Sequence, residues 1–177
     1  MNRILGAITT LDQHLVELAN GGNAYRPTNC PHCQVAGLWH HGRYHRKADR
    51  STHASESRNP VAILRFLCHA CLRTCSRLPA CIAPRRWYDW AMQQVVLLLL
   101  LAGGSLHQCW RQTGRARSTL RRWRDWLQAR SAQFTFFLRS RLPELGRLPE
   151  PHFWPQVISR MSLAYVMTQL DGDLVVP

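Results

Sequence analysis

The chain has 177 residues and a formal net charge of +13, from 23 lysines and arginines against 10 aspartates and glutamates. This length suits one or two small domains and excludes a large multidomain enzyme. The excess of basic residues favours a polyanionic partner, with nucleic acid first and an anionic membrane surface second.

The positive charge is almost entirely arginine, because Lys47 is the only lysine. Arginine binds phosphate bidentately and also reads guanine edges, so double-stranded DNA is the first partner we expect. The longest apolar run, Val95–Ala102, is too short to span a bilayer, and residues 1–22 lack a secretory signal pattern. These features favour a reducing cytoplasm, where paired cysteines indicate a metal site rather than a disulfide.

Residues 1–27 are predicted to form an amphipathic helix and a lead-in to the next domain. The apolar residues of this helix recur every three or four positions and are Ile4, Leu5, Ile8, Leu11, Leu15 and Leu18. Gly21 and Gly22 end the helix. Its apolar face packs either on the following domain or on a partner chain.

Residues 28–84 contain two C-x2-C pairs, Cys30–Cys33 and Cys68–Cys71, with 34 residues between them. Each pair turns two sulfurs toward one point, and two pairs complete a tetrahedral four-sulfur site that suits Zn2+. The pairs resemble the two knuckles of a zinc ribbon. Strands over residues 38–46 and 61–67 are predicted to form its hairpin, joined by a polar loop.

Other metal-ligating side chains in this region have more than one interpretation. Cys75 and Cys81 are either substitute ligands or small core residues. His32 and His69 lie inside the knuckles, where we expect them to point outward. The run from His40 to His45 suggests either a second metal site or a basic, DNA-facing strand, and we favour the strand.

Residues 85–130 are predicted to form a helix-turn-helix domain. An apolar, buried helix (residues 88–101) precedes a short helix capped by Ser105, a glycine-containing turn, and a basic helix (residues 119–130) capped by Ser118. The basic helix is expected to enter the major groove. The candidate DNA-binding residues of the whole chain are Arg43, Arg46, Arg85, Arg86, Arg115, Arg117, Ser118, Thr119, Arg121, Arg122 and Arg124. The alternative is an ordinary solvated helix face.

Several of these motifs together resemble the zinc-ribbon and helix-turn-helix module of bacterial transposases and their accessory proteins. The similar segments are C-P-x-C at Cys30, G-R-Y at Gly42, C-x2-C-x-R-T-x-S-x-L-P at Cys68, P-R-R-W-Y at Pro84 and T-L-R-R-W at Thr119. The family usually has a glycine at the place of Leu72 and an aromatic residue at that of Cys75. The resemblance implies a role in transposition or DNA recombination, in association with the bacterial nucleoid.

The remaining residues, 131–177, are predicted to form a proline-rich linker and a partner-binding helix over residues 156–170. At their start, Phe134–Leu142 either extends the basic helix or begins another. The partner would be another copy of the chain, a transposase or another recombination protein.

We therefore predict an α+β fold, mainly α: a small zinc ribbon, a three-helix helix-turn-helix bundle and a C-terminal helix. We expect no enzyme, because no carboxylates lie in the βαβ context that a two-metal transposase site requires. The predicted function is zinc-dependent recognition of duplex DNA, at a target or an element end. The alternatives are a zinc-stabilised adaptor that binds an acidic protein or RNA, and a truncated transposase remnant.

Overall fold

The computed structural model describes residues 3–49, 57–84 and 88–171 of the chain. These residues form an α+β fold, as predicted, in which helices outweigh strands. The chain divides into two compact units, the first ending at Asp89 and the second beginning at Trp90.

A three-stranded antiparallel sheet forms the centre of the first unit. In chain order, the elements of this unit are β1 (Ile4–Leu5), α1 (Leu11–Ala19), β2 (Leu38–Arg46), β3 (Val61–Cys68), β4 (Thr74–Cys75) and β5 (Leu78–Pro79). β3 lies between β2 and β4, and Leu38 pairs with Cys68 where the sheet approaches the knuckles. Both predicted strands are confirmed. A bulge between His40 and Arg43 interrupts their register.

Different cores cover the two faces of β3, because side chains alternate along a strand. On one face the buried core comprises Ile8, Tyr25, Cys30, Leu38, Leu64, Phe66 and Cys68. On the other face, Val61 and Ile63 pack with Leu78 and Ile82. The first of these cores contains two of the four knuckle cysteines, so the fold and the metal centre share their packing.

The prediction that the N-terminal helix includes Ile4 and Leu5 is wrong. The segment Ile4–Leu5 forms β1, which pairs in parallel with β5, a strand far along the chain. α1 begins only at Leu11, where Thr10 and Gln13 form a capping box. The periodicity of apolar residues within one segment cannot reveal that the segment pairs with a distant strand. Here the pairing of β1 with β5 overrides the helical periodicity of residues 4–8.

α1 buries a histidine where an apolar face was predicted. His14 is fully buried, its Nε2–H donates to the Ala62 carbonyl at 2.8 Å, and its Nδ1 lies 2.6 Å from the Tyr25 hydroxyl. Burial lowers the pKa of His14 more than the Ala62 hydrogen bond raises it. The ring is therefore a neutral structural residue. Leu15, from the predicted apolar face, is exposed.

The second unit is helical. Its helices are α2 (Trp90–Leu101), α3 (Leu106–Thr113), α4 (Arg117–Arg141), α5 (Glu150–Arg160) and α6 (Leu163–Leu170). The predicted cap of α3 is confirmed, because the Ser105 hydroxyl accepts from the Gln108 N–H at 3.1 Å. The Gln108 side chain in turn accepts from the Ser105 N–H at 2.8 Å, which completes a capping box.

α4 begins earlier and ends later than predicted. Ala116 occupies its N-cap position without a side-chain hydrogen bond, so Ser118 lies in the first turn and is not the cap. The helix continues past Arg130 to Arg141 because apolar residues extend one buried face along its whole length. The apolar residues of that face are Leu120, Trp123, Leu127, Phe134 and Leu138.

α2 is less buried than its composition predicted. Val96 and Leu97 are buried, but Val95 is 48% exposed and Leu101 is also exposed. A helix without a polar face was expected to be covered on all sides, and this one is not. No helix in the described part of the chain is long and apolar enough to cross a membrane.

Much of the segment predicted to be a proline-rich linker is helical. α4 continues to Arg141, a 3-10 turn follows at Pro143–Leu145, and α5 contains Pro155 within its length. The predicted helix over residues 156–170 is split, because Met161 is extended and Ser162 caps α6. The apolar faces of α5 and α6 are buried within the unit, so packing explains them without a partner. Their buried members are Phe153, Trp154, Val157, Ile158, Leu163, Val166, Met167 and Leu170.

Candidate functional site

Four cysteine sulfurs meet at one end of the three-stranded sheet. The Sγ atoms of Cys30 and Cys71 lie 3.6 Å apart, as do those of Cys33 and Cys68, and all four atoms lie within 4.8 Å of one another. The four cysteines are not disulfide-bonded. This arrangement can hold one metal ion, which is the site that the C-x2-C spacing predicted.

The two knuckles have the same backbone hydrogen bonds. In the first, the Gln34 N–H donates to the Cys30 carbonyl at 2.9 Å, and the Cys30 N–H donates to the Val35 carbonyl at 2.9 Å. In the second, the Leu72 N–H and the Arg73 carbonyl make the corresponding bonds to Cys68, both at 3.0 Å. Each turn thereby satisfies its own backbone groups while its two sulfurs point the same way.

Both turns require a left-handed residue directly after the second cysteine. Gln34 has φ +61° and Leu72 has φ +56°, a region that costs about 1–2 kcal/mol for a residue with a Cβ. The sequence predictions did not mark these two positions as functional. The glycine of the similar transposase modules, at the place of Leu72, was the signal that pointed to this conformation.

Leu72→Gly is therefore expected to stabilise the metal-loaded protein by up to about 1 kcal/mol, because glycine relieves the left-handed strain at little steric cost. Part of the gain is offset by the freedom of glycine in the unfolded chain, about 0.4–1 kcal/mol. The Leu72 side chain is 73% exposed, so its loss removes little packing. The measurement is the urea midpoint at saturating metal. Leu72→Ala is the matched control. An equal shift of the urea midpoint in both variants would contradict left-handed strain at Leu72.

The surroundings of the four-sulfur group shift the pKa values of Cys30 and Cys33 in opposite directions. Burial raises the pKa of the Cys30 thiol. Hydrogen bonds from the backbone N–H groups of Cys33 and His32 and from the neighbouring thiols lower this pKa by a larger amount, so the net shift is downward. At Cys33 a hydrogen bond from the Val35 N–H lowers the pKa, but burial and the neighbouring sulfurs together raise it. A bound cation stabilises all four thiolates at once, so the donor set fits a metal ion.

The other cysteines lie outside this four-sulfur group. Cys75 and Cys81 are half-buried beside the two cores of the first unit, and burial raises the pKa of each to about 11. Cys109 is buried in α3, and burial raises its pKa as well. All three thus remain protonated near neutral pH. Cys75 and Cys81 are therefore core residues and not substitute metal ligands, which was the other role predicted for them.

The knuckle histidines point outward, as predicted. His32 and His69 are both exposed, and neither belongs to the metal-ligating group. His40, His41 and His45 lie along β2 and are also exposed. In the described ranges 3–49, 57–84 and 88–171, the knuckle cysteines form the one group of three or more metal-ligating side chains, so these histidines form no second site.

The candidate DNA-binding arginines of the first unit lie in different surroundings. Arg43 is exposed on β2, opposite Leu64 of β3. Arg46, at the end of β2, is half-buried and has an interaction of its own. Arg85 and Arg86 lie outside the described residues.

The turn between α3 and α4 spans residues 114–116. Gly114 adopts φ +66° and its N–H donates to the Trp110 carbonyl at 2.8 Å, which ends α3. The Arg117 guanidinium then donates to Nδ1 of His107 at 2.6 Å and lies 5.1 Å from the centroid of the Trp110 ring. Arg117 therefore holds the two helices together, a role that the sequence analysis missed.

Two more of the predicted residues are partly engaged within the protein. Arg124 is half-buried and binds Asp125 at 2.9 Å, and Arg115 is half-buried with an interaction of its own. Thr119 is half-buried. These residues are less suited to contact DNA than their positions in the sequence predicted.

The first turns of α4 expose three of the predicted side chains. Ser118, Arg121 and Arg122 are exposed, and at 100° per residue they lie opposite the buried face of Leu120. Asp125, one turn further along the same face, limits this basic stretch to the N-terminal end of the helix. We call Ser118, Arg121 and Arg122 the α4 basic face.

Residues 30–123 match a protein family described as "Domain of unknown function (DUF6431)", a match that covers more than half of the chain. The matched region contains all four knuckle cysteines and the α4 basic face. No curated protein and no solved structure matches the chain.

Proposed function

We propose that this chain, which belongs to the DUF6431 family, is a non-catalytic, zinc-dependent DNA-binding protein of a mobile genetic element. It would recognise duplex DNA, at a target or an element end, through a helix-turn-helix and a basic zinc ribbon. The observation that carries the proposal is the α4 basic face. This face lies at the start of a long helix, just after a three-residue turn.

Zinc is the metal that we propose for the four-cysteine site. Tetrahedral zinc with bonds of about 2.3 Å to sulfur places its ligands about 3.8 Å apart. The pairs Cys30–Cys71 and Cys33–Cys68, at 3.6 Å, are close to this spacing. A four-thiolate site leaves no open position for substrate, so we assign the metal a structural role.

The connection between α3 and α4 supports a helix-turn-helix. Such motifs join two helices by three or four residues, often including glycine, and direct the N-terminal end of the second helix at the major groove. Here residues 114–116 join the helices, and Arg117 fixes their relative position through His107 and Trp110. Ser118, Arg121 and Arg122 would then face the DNA.

Charge also supports a DNA partner for this unit. From residue 90 to residue 130 the chain has seven arginines and one carboxylate, Asp125, which binds Arg124. A helix N-terminus also carries a partial positive charge, which favours phosphate near Ser118. An ordinary solvated helix face usually mixes charges of both signs, and this one does so only from Asp125 onward.

The resemblance to transposase-associated modules supports the proposed role in a mobile element. We also propose that the chain is not an enzyme, because no carboxylates of the sequence lie in the βαβ context that a two-metal transposase site requires. The bacterial cytoplasm, with its nucleoid DNA, is the compartment that we propose for this activity, and a transposase or another recombination protein is the proposed protein partner.

Selection of bound duplexes from a random pool tests this function. With metal-loaded protein we expect a shared short sequence to be enriched, because arginines at the start of α4 would read base edges in the major groove. In the presence of a chelator, we expect weaker enrichment, because the zinc ribbon would no longer contribute contacts. A pool that stays random with metal-loaded protein would contradict sequence-specific recognition.

A further inference from the structure

An exposed tryptophan lies on the sheet beside the metal centre. Trp39 on β2 is 65% exposed, although large aromatic side chains are usually buried. It pairs across the sheet with Leu67 of β3, which pairs in turn with Thr74 of β4. These three side chains form one row on the same face of the sheet, and Leu67 is only half-buried. We call this row, together with His69, the Trp39 platform.

The orientation of Trp39 is supported from within the protein. Its ring stacks on that of His69, with centroids 6.3 Å apart and planes 23° apart. The Nδ1–H of His69 donates to the Gly37 carbonyl at 2.9 Å. Gly37 has φ +88°, and a Cβ there would lie 3.2 Å from the His69 ring. The platform is therefore ordered before any ligand arrives, which lowers the entropic cost of binding.

The surroundings of the platform are basic. Arg65, two residues before Leu67 on the same face of β3, is exposed, and its guanidinium lies 5.4 Å from the centroid of the Tyr44 ring. Residues 28–84 contain two carboxylates, Asp49 and Glu56. Asp49 is buried and accepts a hydrogen bond from the Arg58 N–H at 2.6 Å, so its charge is not presented to a ligand.

An aromatic surface on the same face as an exposed arginine, in a region with few carboxylates, is complementary to nucleic acid. Bases stack on aromatic side chains while cations bind the phosphates, and each stacked base contributes measurably to affinity. In an intact duplex the base faces are already stacked on one another. Unpaired bases have free faces, so they are the bases on which we expect Trp39 to stack.

We propose that the Trp39 platform binds unpaired nucleotides, such as a single-stranded end or flap next to a duplex. This inference rests on the proposed function, because it takes DNA as the ligand and adds the form of DNA that the first unit recognises. The duplex would be held by the α4 basic face, and unpaired bases by Trp39.

The test compares two labelled probes by fluorescence anisotropy: a blunt duplex, and the same duplex with a single-stranded extension of about ten nucleotides, within the site size of such proteins. Wild-type protein is expected to bind the extended probe more tightly. Trp39→Ala is expected to weaken binding of that probe by about 5-fold to 150-fold, the effect of losing one stacked base, and to leave the blunt probe unaffected. Trp39→Phe keeps an aromatic face and should retain most of the affinity.

Two controls separate stacking from loss of fold. Trp39→Leu retains apolar volume but has no aromatic face, so it should behave like Trp39→Ala while keeping one metal ion per chain. Phe136→Ala removes another exposed aromatic side chain, 69% exposed and in the second unit, and should not alter the preference for the extension.

The inference is overturned if wild-type protein does not distinguish the probes, or if Trp39→Leu and Trp39→Ala bind the extended probe as wild type does. The latter result would instead assign Trp39 to a protein contact. Binding of the extended probe without any binding of the blunt duplex would sustain this inference and contradict the proposed duplex function.

Discussion

Removing the metal is expected to unfold the first unit of the chain while the helices of the second remain. Apparent binding energies of structural zinc are about 10–16 kcal/mol in small domains, and whole domains are stable by only about 5–15 kcal/mol. Cys30 and Cys68 are buried in the same core as Phe66, so loss of the metal also exposes that core. Limited proteolysis with mass mapping, before and after chelation, should show cleavage confined to residues before Trp90.

Single cysteine variants sharpen this test. Cys33→Ser removes a sulfur of the four-cysteine site and should reduce the metal content from one ion per chain to almost none. Cys75→Ser changes a half-buried thiol in the same core that is not in the group, and should retain the metal. Equal metal content in the two variants, or equal protease resistance of the metal-loaded and metal-free protein, would contradict a structural metal centre.

The metal centre could be predicted because its signal is local. Within each C-x2-C turn the two sulfurs are brought together by the turn itself, and β2 and β3 have strand-forming sequences that lead into the turns. The left-handed backbone at Gln34 was not predicted, because glutamine carries no signal for that conformation. The hydrogen-bond pattern that the two knuckles share was not predicted either.

The elements that were missed depend on distant parts of the chain. β1 forms because β5 offers it a parallel partner, and nothing within residues 1–20 indicates that pairing. α5 contains Pro155, which removes a helical hydrogen bond, yet burial of Phe153 and Val157 outweighs that loss. In both segments, tertiary packing decides what local sequence preferences could not.

The same limit applies to the candidate DNA contacts. The sequence analysis presented Arg117, Arg121 and Arg124 as equivalent candidates for DNA contact. The structure distinguishes them, because Arg117 contacts His107 and Arg124 binds Asp125, whereas Arg121 is exposed opposite the buried face. A helical wheel shows the direction of a side chain but not its neighbours.

Replacing Arg121 and Arg122 together by alanine is expected to weaken duplex binding about 100-fold at physiological salt, since each arginine contact to DNA contributes roughly 1–3 kcal/mol. If both side chains bind phosphate, the slope of log K against log salt should also become shallower by about 2, because fewer counterions are released. Both side chains are exposed, so the fold should be unaffected. Anisotropy titrations with a blunt duplex over a salt series measure both quantities.

Arg130→Ala is the matched control for the single variants Arg121→Ala and Arg122→Ala. Arg130 is exposed on the same helix, about half a turn around the axis from Arg121, and its loss changes the charge by the same amount. If general positive charge drives binding, all three single variants should weaken it equally. If the α4 basic face binds DNA, Arg130→Ala should have a small effect and the other two a large one. Unchanged duplex binding by the Arg121/Arg122 double variant, with the metal retained, would contradict the helix-turn-helix proposal and favour an adaptor whose basic surface binds an acidic protein or RNA.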